Sequence, residues 1–268
     1  MKVRVCVLVG YGINCDYETK YAFELVGAEA KRVHINELIE RKDNLENYHI
    51  FVIPGGFSYG DDIAAGKVLA NKMKTYIHEQ IEQFIKDKKL IMGICNGFQA
   101  MVKYPLLPKF DGQLTSLTFN DSARLEDRWV YLKVNKVSSC VFLKDIETIY
   151  LPIRHAEGKF VVRDKAVLDE LVATDQIAVQ YAKPNGDLAQ GKFPYNPNGS
   201  IMDIAGICDS SGRIFGMMPH PEAFLHFTNH PRWTRIKEEL RRKGKPIPEE
   251  GEGLKIFRNA VEYVSNNL

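Results

Sequence analysis

One cysteine in this chain is set apart by its neighbours. Cys95 closes the apolar run "LIMGIC" and is framed by Gly93 and Gly97, with the amphipathic pattern "NGFQAMV" starting directly behind it. A strand that ends at such a Gly-x-Cys-x-Gly turn and passes straight into a helix holds the side chain in a strained, exposed position, and the small flanking residues let the backbone turn. The helix N-terminus favours a thiolate over a thiol and offers unpaired N–H groups to a developing oxyanion. Taken alone, the pattern also fits a structural cysteine at a strand-to-helix turn. A cysteine nucleophile further needs an imidazole base, which is itself held by a third polar group. Of seven histidines, His34 and His49 fall in strand patterns and His78 on an amphipathic helix. His220 differs: it ends "RIFGMMPHPEA", where two prolines stiffen the backbone on either side of it. Glu222, two residues on, can accept a hydrogen bond from the ring and fix its tautomer. Cys95, His220 and Glu222 are therefore a candidate nucleophile, base and orienting acid.

The elements around these residues have to bring positions 95 and 220 together. Short apolar runs rich in β-formers alternate with helical patterns: "VRVCVLV", an amphipathic 16–27, "AKRVHI", "HIFVIPGG", the helical "VLANKMKTYIHEQIEQFIKDK", then "LIMGIC". Strands alternating with helices predict crossover connections and a mainly parallel sheet with helices on both faces. In such a sheet ligands gather at the carboxyl ends of the strands, where Cys95 falls. From about 113 to 218 shorter pieces follow ("LTSLTF", "WVYLKV", "TIYLPI", "KFVVR", "IAVQYA", "SIMDIAGI", "RIFGMM"), with a short helical pattern near 164–173. They predict an extension of the same sheet with an antiparallel patch. "RRKGKPIPEEGEG" at 241–253 reads as an exposed loop before a last amphipathic helix, "LKIFRNAVEYV".

Composition narrows the function classes. The 36 Lys and Arg nearly balance 34 Asp and Glu, for a formal charge of +2. That balance calls for neither nucleic acid nor an anionic membrane. The N-terminal apolar run is too short to span a bilayer and lacks a signal-peptide cleavage site, which predicts a soluble, cytoplasmic protein. Five cysteines (Cys6, Cys15, Cys95, Cys140, Cys208) without a CxxC pair suggest neither a disulfide framework nor a zinc site.

"PGGFSYGDD" (54–62), "GICNGFQ" (93–99) and "MMPHPE" (217–222), in that order, resemble the class I glutamine amidotransferase domain, with its flavodoxin-like α/β fold. "GINCD" (12–16), "HAEG" (155–158), "NPNGS" (196–200) and "DIAGI" (203–207) narrow the resemblance to the glutaminase subunits of phosphoribosylformylglycinamidine synthase, over nearly the whole chain. The resemblance implies a single amidotransferase domain over 1–268 in which Cys95 attacks the side-chain amide of glutamine. His220 would move the protons and Glu222 would orient it. The oxyanion would be held by the backbone N–H groups of Asn96 and Gly56, and Gln99 and His155 would contact glutamine. It implies no cofactor in this chain. Ammonia would pass to a large synthetase subunit that uses ATP and magnesium to amidate formylglycinamide ribonucleotide in purine biosynthesis, with a small bridging subunit completing the complex. No Walker-type GxxxxGK[ST] is present for that second chemistry.

Some residues depart from the resemblance. Ala156 stands where a glycine is common in His-Gly-Glu-Gly, and about 224–250 reads as an insertion. His226 and His230 within it have i, i+4 spacing, which on a helix would suit a metal, but Pro231 and the lack of HExxH argue for a partner-facing or structural segment and no metal. "GYGIN" after the first strand lacks the third glycine of a dinucleotide fingerprint, its place being taken by Cys15. Two other readings use the same residues: a glutaminase-like scaffold without turnover, and a hydrolase of γ-glutamyl peptides.

Overall fold

The computed structural model describes residues 2–268. Five parallel strands build the half of the sheet that carries Cys95. They are β1 (Arg4–Val9), β2 (Glu29–His34), β3 (Ile50–Ile53), β4 (Leu90–Ile94) and, much later in the chain, a strand over Ile214–Met217, in spatial order β2, β1, β3, β4, Ile214–Met217. Their connections are α1 (Asp16–Leu25), the short α2 (Ile35–Ile39), α3 (Lys67–Tyr76), α4 (His78–Lys86) and, after Cys95, α5 (Asn96–Lys103). β3 and β4 are buried at every position, so they read as continuous apolar runs rather than alternating ones.

The rest of the chain supplies β5 (Thr115–Thr118), β6 (Glu126–Val134), β7 (Thr148–His155), β8 (Lys159–Val162), α6 (Lys165–Ala173), β9 (Ile177–Ala182), β10 (Ile204–Cys208) and β11, the Ile214–Met217 strand, followed by α7 (Trp233–Arg242) and α8 (Leu254–Asn267). Beyond β11 the same sheet continues as β10, β9, β6 and β7, each antiparallel to its neighbour, to make nine strands; β5 and β8 pair separately. The predicted α/β sheet with an antiparallel extension is the architecture found.

Helices cover both faces, and β11 shows how. Phe215 stacks on Phe142, whose carbonyl accepts from Asn259 of α8, whereas the next residue, Gly216, faces Phe98 of α5. Successive strand residues point to opposite faces, so α5 and α8 lie on opposite sides. α1 joins α8 through an edge-on Phe23–Phe257 pair at 5.0 Å, and α3 packs on α5.

Some local expectations change. The run over 68–88 is two helices rather than one, because Ile77 leaves the helical region at φ −124°. "SIMD" belongs to a 3₁₀ turn with Met202 at φ 49°, and the strand starts only at Ile204. The segment at 224–250 is an excursion closed at its base by Phe227 N–H to the Glu249 carbonyl (3.0 Å) and Gly251 N–H to the Leu225 carbonyl (2.8 Å). His230 packs there against Trp129, Tyr150 and Phe224, and His226 meets the Tyr21 hydroxyl at 3.1 Å. The two histidines flank a 3₁₀ turn instead of sharing a helix face. α7, inside the excursion, buries none of its residues.

All eight residues of α5 are buried. A helix sunk this deeply needs close approach to the sheet, and Gly97 provides it: a Cβ there would overlap the backbone carbonyl of Ile53. Gly97→Ala is therefore expected to destabilise the fold by about 2 kcal/mol or more, read as a lower urea midpoint at unchanged slope. An unchanged midpoint would contradict this packing.

Candidate active site

Parallel alignment puts the loops after β1 (10–15), β3 (54–66) and β4 (95 onward) and the end of β11 on one rim, because Ile53 pairs with Gly93 and Ile94 with Met217. Cys95 follows β4 with φ 50° and ψ −106°, a region that costs a side-chain-bearing residue about 1–3 kcal/mol. Its N–H donates to the Met217 carbonyl at 2.8 Å, and its thiol points at the Arg154 carbonyl at 3.8 Å. The strand-to-helix elbow expected from the glycine spacing is thus present and strained, but Cys95 is buried rather than exposed, because the 54–66 loop and the end of β7 close over it.

Three residues past β11, His220 is fixed by its N–H donating to the Pro152 carbonyl of β7 at 2.9 Å. Its Nδ1 donates to Glu222 Oε1 at 2.5 Å, which leaves Nε2 as the free end of the ring. That nitrogen is buried without a hydrogen-bond partner, as is Glu222 Oε2. The Cβ position of Gly55 marks how closely the groups converge: it lies 2.9 Å from His220 Cε1, 3.5 Å from Cys95 Cβ and 3.4 Å from Cys15 Sγ. Only glycine fits between them. Burial alone would lower the His220 pKa, but the Glu222 charge, followed by the Cys95 thiol, overrides it and raises the value well above the ordinary one. Both Cys95 and Cys15 are near enough to favour the protonated ring, though neither makes a well-formed hydrogen bond to Nε2.

The main-chain N–H groups of the two expected oxyanion donors, Asn96 and Gly56, make no hydrogen bond among the described residues. Asn96 opens α5, so its N–H has no intrahelical acceptor. Gly56 sits in an isolated antiparallel bridge with Ile13 whose hydrogen bonds run from Phe57 N–H to the Gly12 carbonyl (2.7 Å) and from Asn14 N–H to the Gly55 carbonyl (3.3 Å), leaving the Gly56 N–H outside it. Its φ of 148°, with Gly12 O only 2.6 Å from where a Cβ would stand, explains the second glycine of "PGG".

Gln99 is held at both ends of its side chain: Nε2 donates to the Glu157 carbonyl at 2.6 Å, and Oε1 accepts from Asn96 Nδ2 at 2.9 Å. His155 is buried near His220 and stacked over Gly158, where no side chain would fit. Asn120 Nδ2 donates to the carbonyls of His155 and Arg124, which makes Asn120 Oδ1 the acceptor for His155 Nδ1 at 3.1 Å. Nε2 of His155 is thus a bare, buried acceptor. Burial, reinforced by nearby His220, lowers its pKa to about 3, so the ring is neutral at physiological pH. Ala156 lies at the surface with an ordinary φ, so its methyl group is accommodated.

"NPNGS" braces this wall. Asn198 Nδ2 donates to the Gly158 carbonyl (2.8 Å) and to the Tyr181 hydroxyl (3.0 Å), and Ser200 Oγ accepts from Phe160 N–H (2.9 Å). Asn120 carried no such signal in the sequence, and Glu157 and Cys15, although inside "HAEG" and "GINCD", were not marked there as site residues. Cys15 Sγ lies with the donor atoms of His220 and Glu222 within 4.8 Å of one another, the set here that could hold a metal. Its two buried members already satisfy each other, which suits a proton-handling pair. A cleft of about 390 Å³, lined in part by Asp61, Ile63, Lys103, Phe119 and Glu157, opens beside the site. The larger cavity of about 730 Å³ lies along α8 and 134–147, and no triad residue lines it.

The fold and the family comparison agree on the class of protein: residues 2–264 match the CobB/CobQ-like glutamine amidotransferase domain. The chain is 47% identical to the phosphoribosylformylglycinamidine synthase subunit PurQ of Dehalococcoides mccartyi over 98% of both chains, and 47% identical to that of Methanococcus maripaludis strain S2 over 97% of both. It superposes on the structure of PurLQS from Thermotoga maritima with a TM-score of 0.71 at 30% identity, covering 98% of this chain and 99% of that one. The chain belongs to the PurQ branch of the glutamine amidotransferase family.

Replacing Glu222 by Gln removes the charge that raises the His220 pKa and leaves burial in control. NMR titration of the imidazole is expected to show the His220 pKa lower in Glu222→Gln than in wild type; an unmoved titration would refute the electrostatic account. The sign for stability follows. Because the folded value lies above the unfolded one, the pair's contribution is full below about pH 6.5 and is lost as pH rises through the raised value. The stability gap between wild type and variant should therefore narrow on going from about pH 6 into the alkaline range.

Proposed function

We propose that Cys95, His220 and Glu222 are the catalytic triad of a glutaminase. The observation that carries this reading is the convergence of a strained cysteine at a helix N-terminus with a buried imidazole whose other nitrogen is bonded to a carboxylate. Nε2 of His220 takes the Cys95 thiol proton, and the sulfur attacks the side-chain amide carbon of glutamine, forming a C–S bond and an oxyanion that accepts hydrogen bonds from the N–H groups of Asn96 and Gly56. Imidazolium Nε2–H of His220 protonates the departing nitrogen, so the C–N bond breaks to release ammonia and leave a γ-glutamyl thioester. His220 then takes a proton from water as it attacks the thioester and returns it to the sulfur as the C–S bond breaks, giving glutamate and the free thiol. Glu222 holds the ring through Nδ1 and offsets its positive charge. Gln99 and neutral His155, with its bare Nε2, line the side on which glutamine would be held.

The activity is that of the glutaminase subunit of phosphoribosylformylglycinamidine synthase in purine biosynthesis. The ammonia goes to the large synthetase subunit, which on this reading uses ATP and magnesium, with a small bridging subunit in the same complex. This chain itself takes no cofactor, residues 1–268 act as one amidotransferase domain, and the complex works in the cytoplasm. Among the described residues no helix is long and apolar enough to cross a membrane. A free glutaminase would waste glutamine, so turnover is low in the isolated chain and rises in the complex, as the site is ordered.

Cys95→Ala should lower glutamine-dependent activity of the complex by about 10⁴-fold or more while ammonia-dependent synthesis continues. Intact-mass analysis with a diazo-ketone glutamine analogue should show one adduct in wild type and none in the variant. Adduct formation by Cys95→Ala would sink the assignment. For activation by the partner, glutamine hydrolysis is compared with and without the synthetase subunit; equal rates would rule it out.

A further inference from the structure

The loop that carries Gly56 is in an unusual state. Between Phe57 and Gly66 three non-glycine residues, Tyr59 (φ 54°), Asp61 (55°) and Ile63 (72°), lie in the left-handed region, alongside Gly60 and Gly66. A segment with that many unfavourable dihedrals keeps its shape only if its surroundings over-determine it. On one side the 11–12 backbone does so, with Phe57 N–H and Tyr59 N–H donating to the carbonyls of Gly12 and Tyr11, each at 2.7 Å. On the other side the fastening is almost entirely one side chain. Asn96 Oδ1 accepts from Ser58 N–H at 3.0 Å, and Asn96 Nδ2 donates to Asp61 Oδ1 at 2.8 Å and to Gln99 Oε1 at 2.9 Å. Asn96 and Ser58 are each only 1% exposed, so water cannot replace the bond between them, and Asp61 at the far end is half-buried. Further along, Lys103 Nζ donates to the Ala65 carbonyl and Glu157 Oε2 accepts from Ala65 N–H at 3.3 Å.

Asn96 therefore touches both halves of the oxyanion site. Its main-chain N–H is one donor, and its side chain grips the loop two and five residues beyond Gly56, which supplies the other. From this geometry we infer that the Asn96 side chain and Asp61 form a latch that sets the spacing between the two oxyanion donors, with Asp61 a positioning residue for the reaction. The inference rests on the reading of Cys95 as nucleophile and of Gly56 and Asn96 as donors. Asp61 touches neither the thiol nor the imidazole by any hydrogen bond in the structure; it acts through Asn96. Phe57 and Ile63, 54% and 86% exposed, bracket the latch, so the same loop presents apolar side chains to solvent beside the groups that hold its shape.

An oxyanion donor displaced by about 1 Å loses transition-state stabilisation and leaves ground-state binding and thiol chemistry in place. In the complex with the synthetase subunit, Asp61→Ala should lower kcat for glutamine hydrolysis by about 100-fold, with KM within about 3-fold of wild type. Alkylation of Cys95 by iodoacetamide, a displacement that develops no oxyanion, should stay within about 3-fold. Asp61→Asn keeps the acceptor oxygen and should recover kcat to within about 5-fold of wild type. Asn96→Asp keeps the acceptor for Ser58 but turns an oxygen towards Asp61, and should lose as much as Asp61→Ala; it decides the matter if Asp61→Ala shows no cooperative melting. Wild-type kcat in both disrupting variants overturns the latch, as does alkylation falling in parallel with kcat. Cys95→Ala assayed alongside separates the two levels: turnover by that variant removes the site reading itself, whereas an inactive Cys95→Ala beside an active Asp61→Ala removes only the latch.

Discussion

Everything at this site depends on holding Cys95 at a positive φ between a buried strand and a buried helix. Left to itself, a cysteine would leave that region, because its Cβ crowds the backbone there. The compensation is packing. α5 is enclosed on all sides, its Phe98 lies over Gly216 of β11 and stacks with Phe160 of β8, and Gly97 rests against the β3 backbone. These contacts exist only when β3, β4 and β11 are aligned in parallel, and that alignment also brings the ends of β4 and β11, hence Cys95 and His220, to one edge. The strain is thus local, while the interactions that support it are spread over the central sheet.

The second constraint is electrostatic. His220 and Glu222 are both buried, and an ion in such a place is tolerated only with a partner in good geometry. The 2.5 Å bond between them meets that condition for one nitrogen and one carboxylate oxygen. The remaining free atom of the ring faces the thiols. Nearby, His155 has the opposite fate: Asn120 offers it a neutral acceptor and no charge to offset burial, and it stays uncharged. Two histidines in one pocket are held in different protonation states: burial, reinforced by His220, keeps His155 neutral, whereas the Glu222 charge overrides burial at His220.

The two halves of the sheet divide the work. The parallel half supplies Cys95, the glycine loop and the strand leading to His220. The antiparallel half supplies the backing: the Pro152 carbonyl that holds the His220 backbone, the Arg154 carbonyl opposite the Cys95 thiol, and the 155–158 turn braced by Asn198 and Ser200. The excursion at 224–250 leaves the sheet directly after Glu222 and is tied back to β6 and β7 by Trp129, Tyr150 and His230. Its exposed helix lies outside these contacts.

The sequence alone determined the features whose causes are local. Alternating apolar runs and amphipathic segments specify strands and helices, and the glycines around position 95 specify an elbow because a side chain at 93 or 97 would collide with Met101 or with the Ile53 backbone. Histidine between prolines with a glutamate two residues on could likewise be read directly, since tautomer control acts within a few bonds. Where local propensity was weak the reading slipped: nothing in "KTYIHEQ" announces the break at Ile77, and "SIMD" has strand composition but forms a turn. Tertiary structure alone decided the rest, because the partners are far apart in the chain. Asn120 setting the His155 tautomer, Asn198 reaching Gly158 and Tyr181, Cys15 arriving beside His220, and Asn96 gripping the loop of Gly56 all join residues separated by about 17 to 205 positions. A hydrogen bond has no signature in sequence spacing once its two ends are brought together by a sheet.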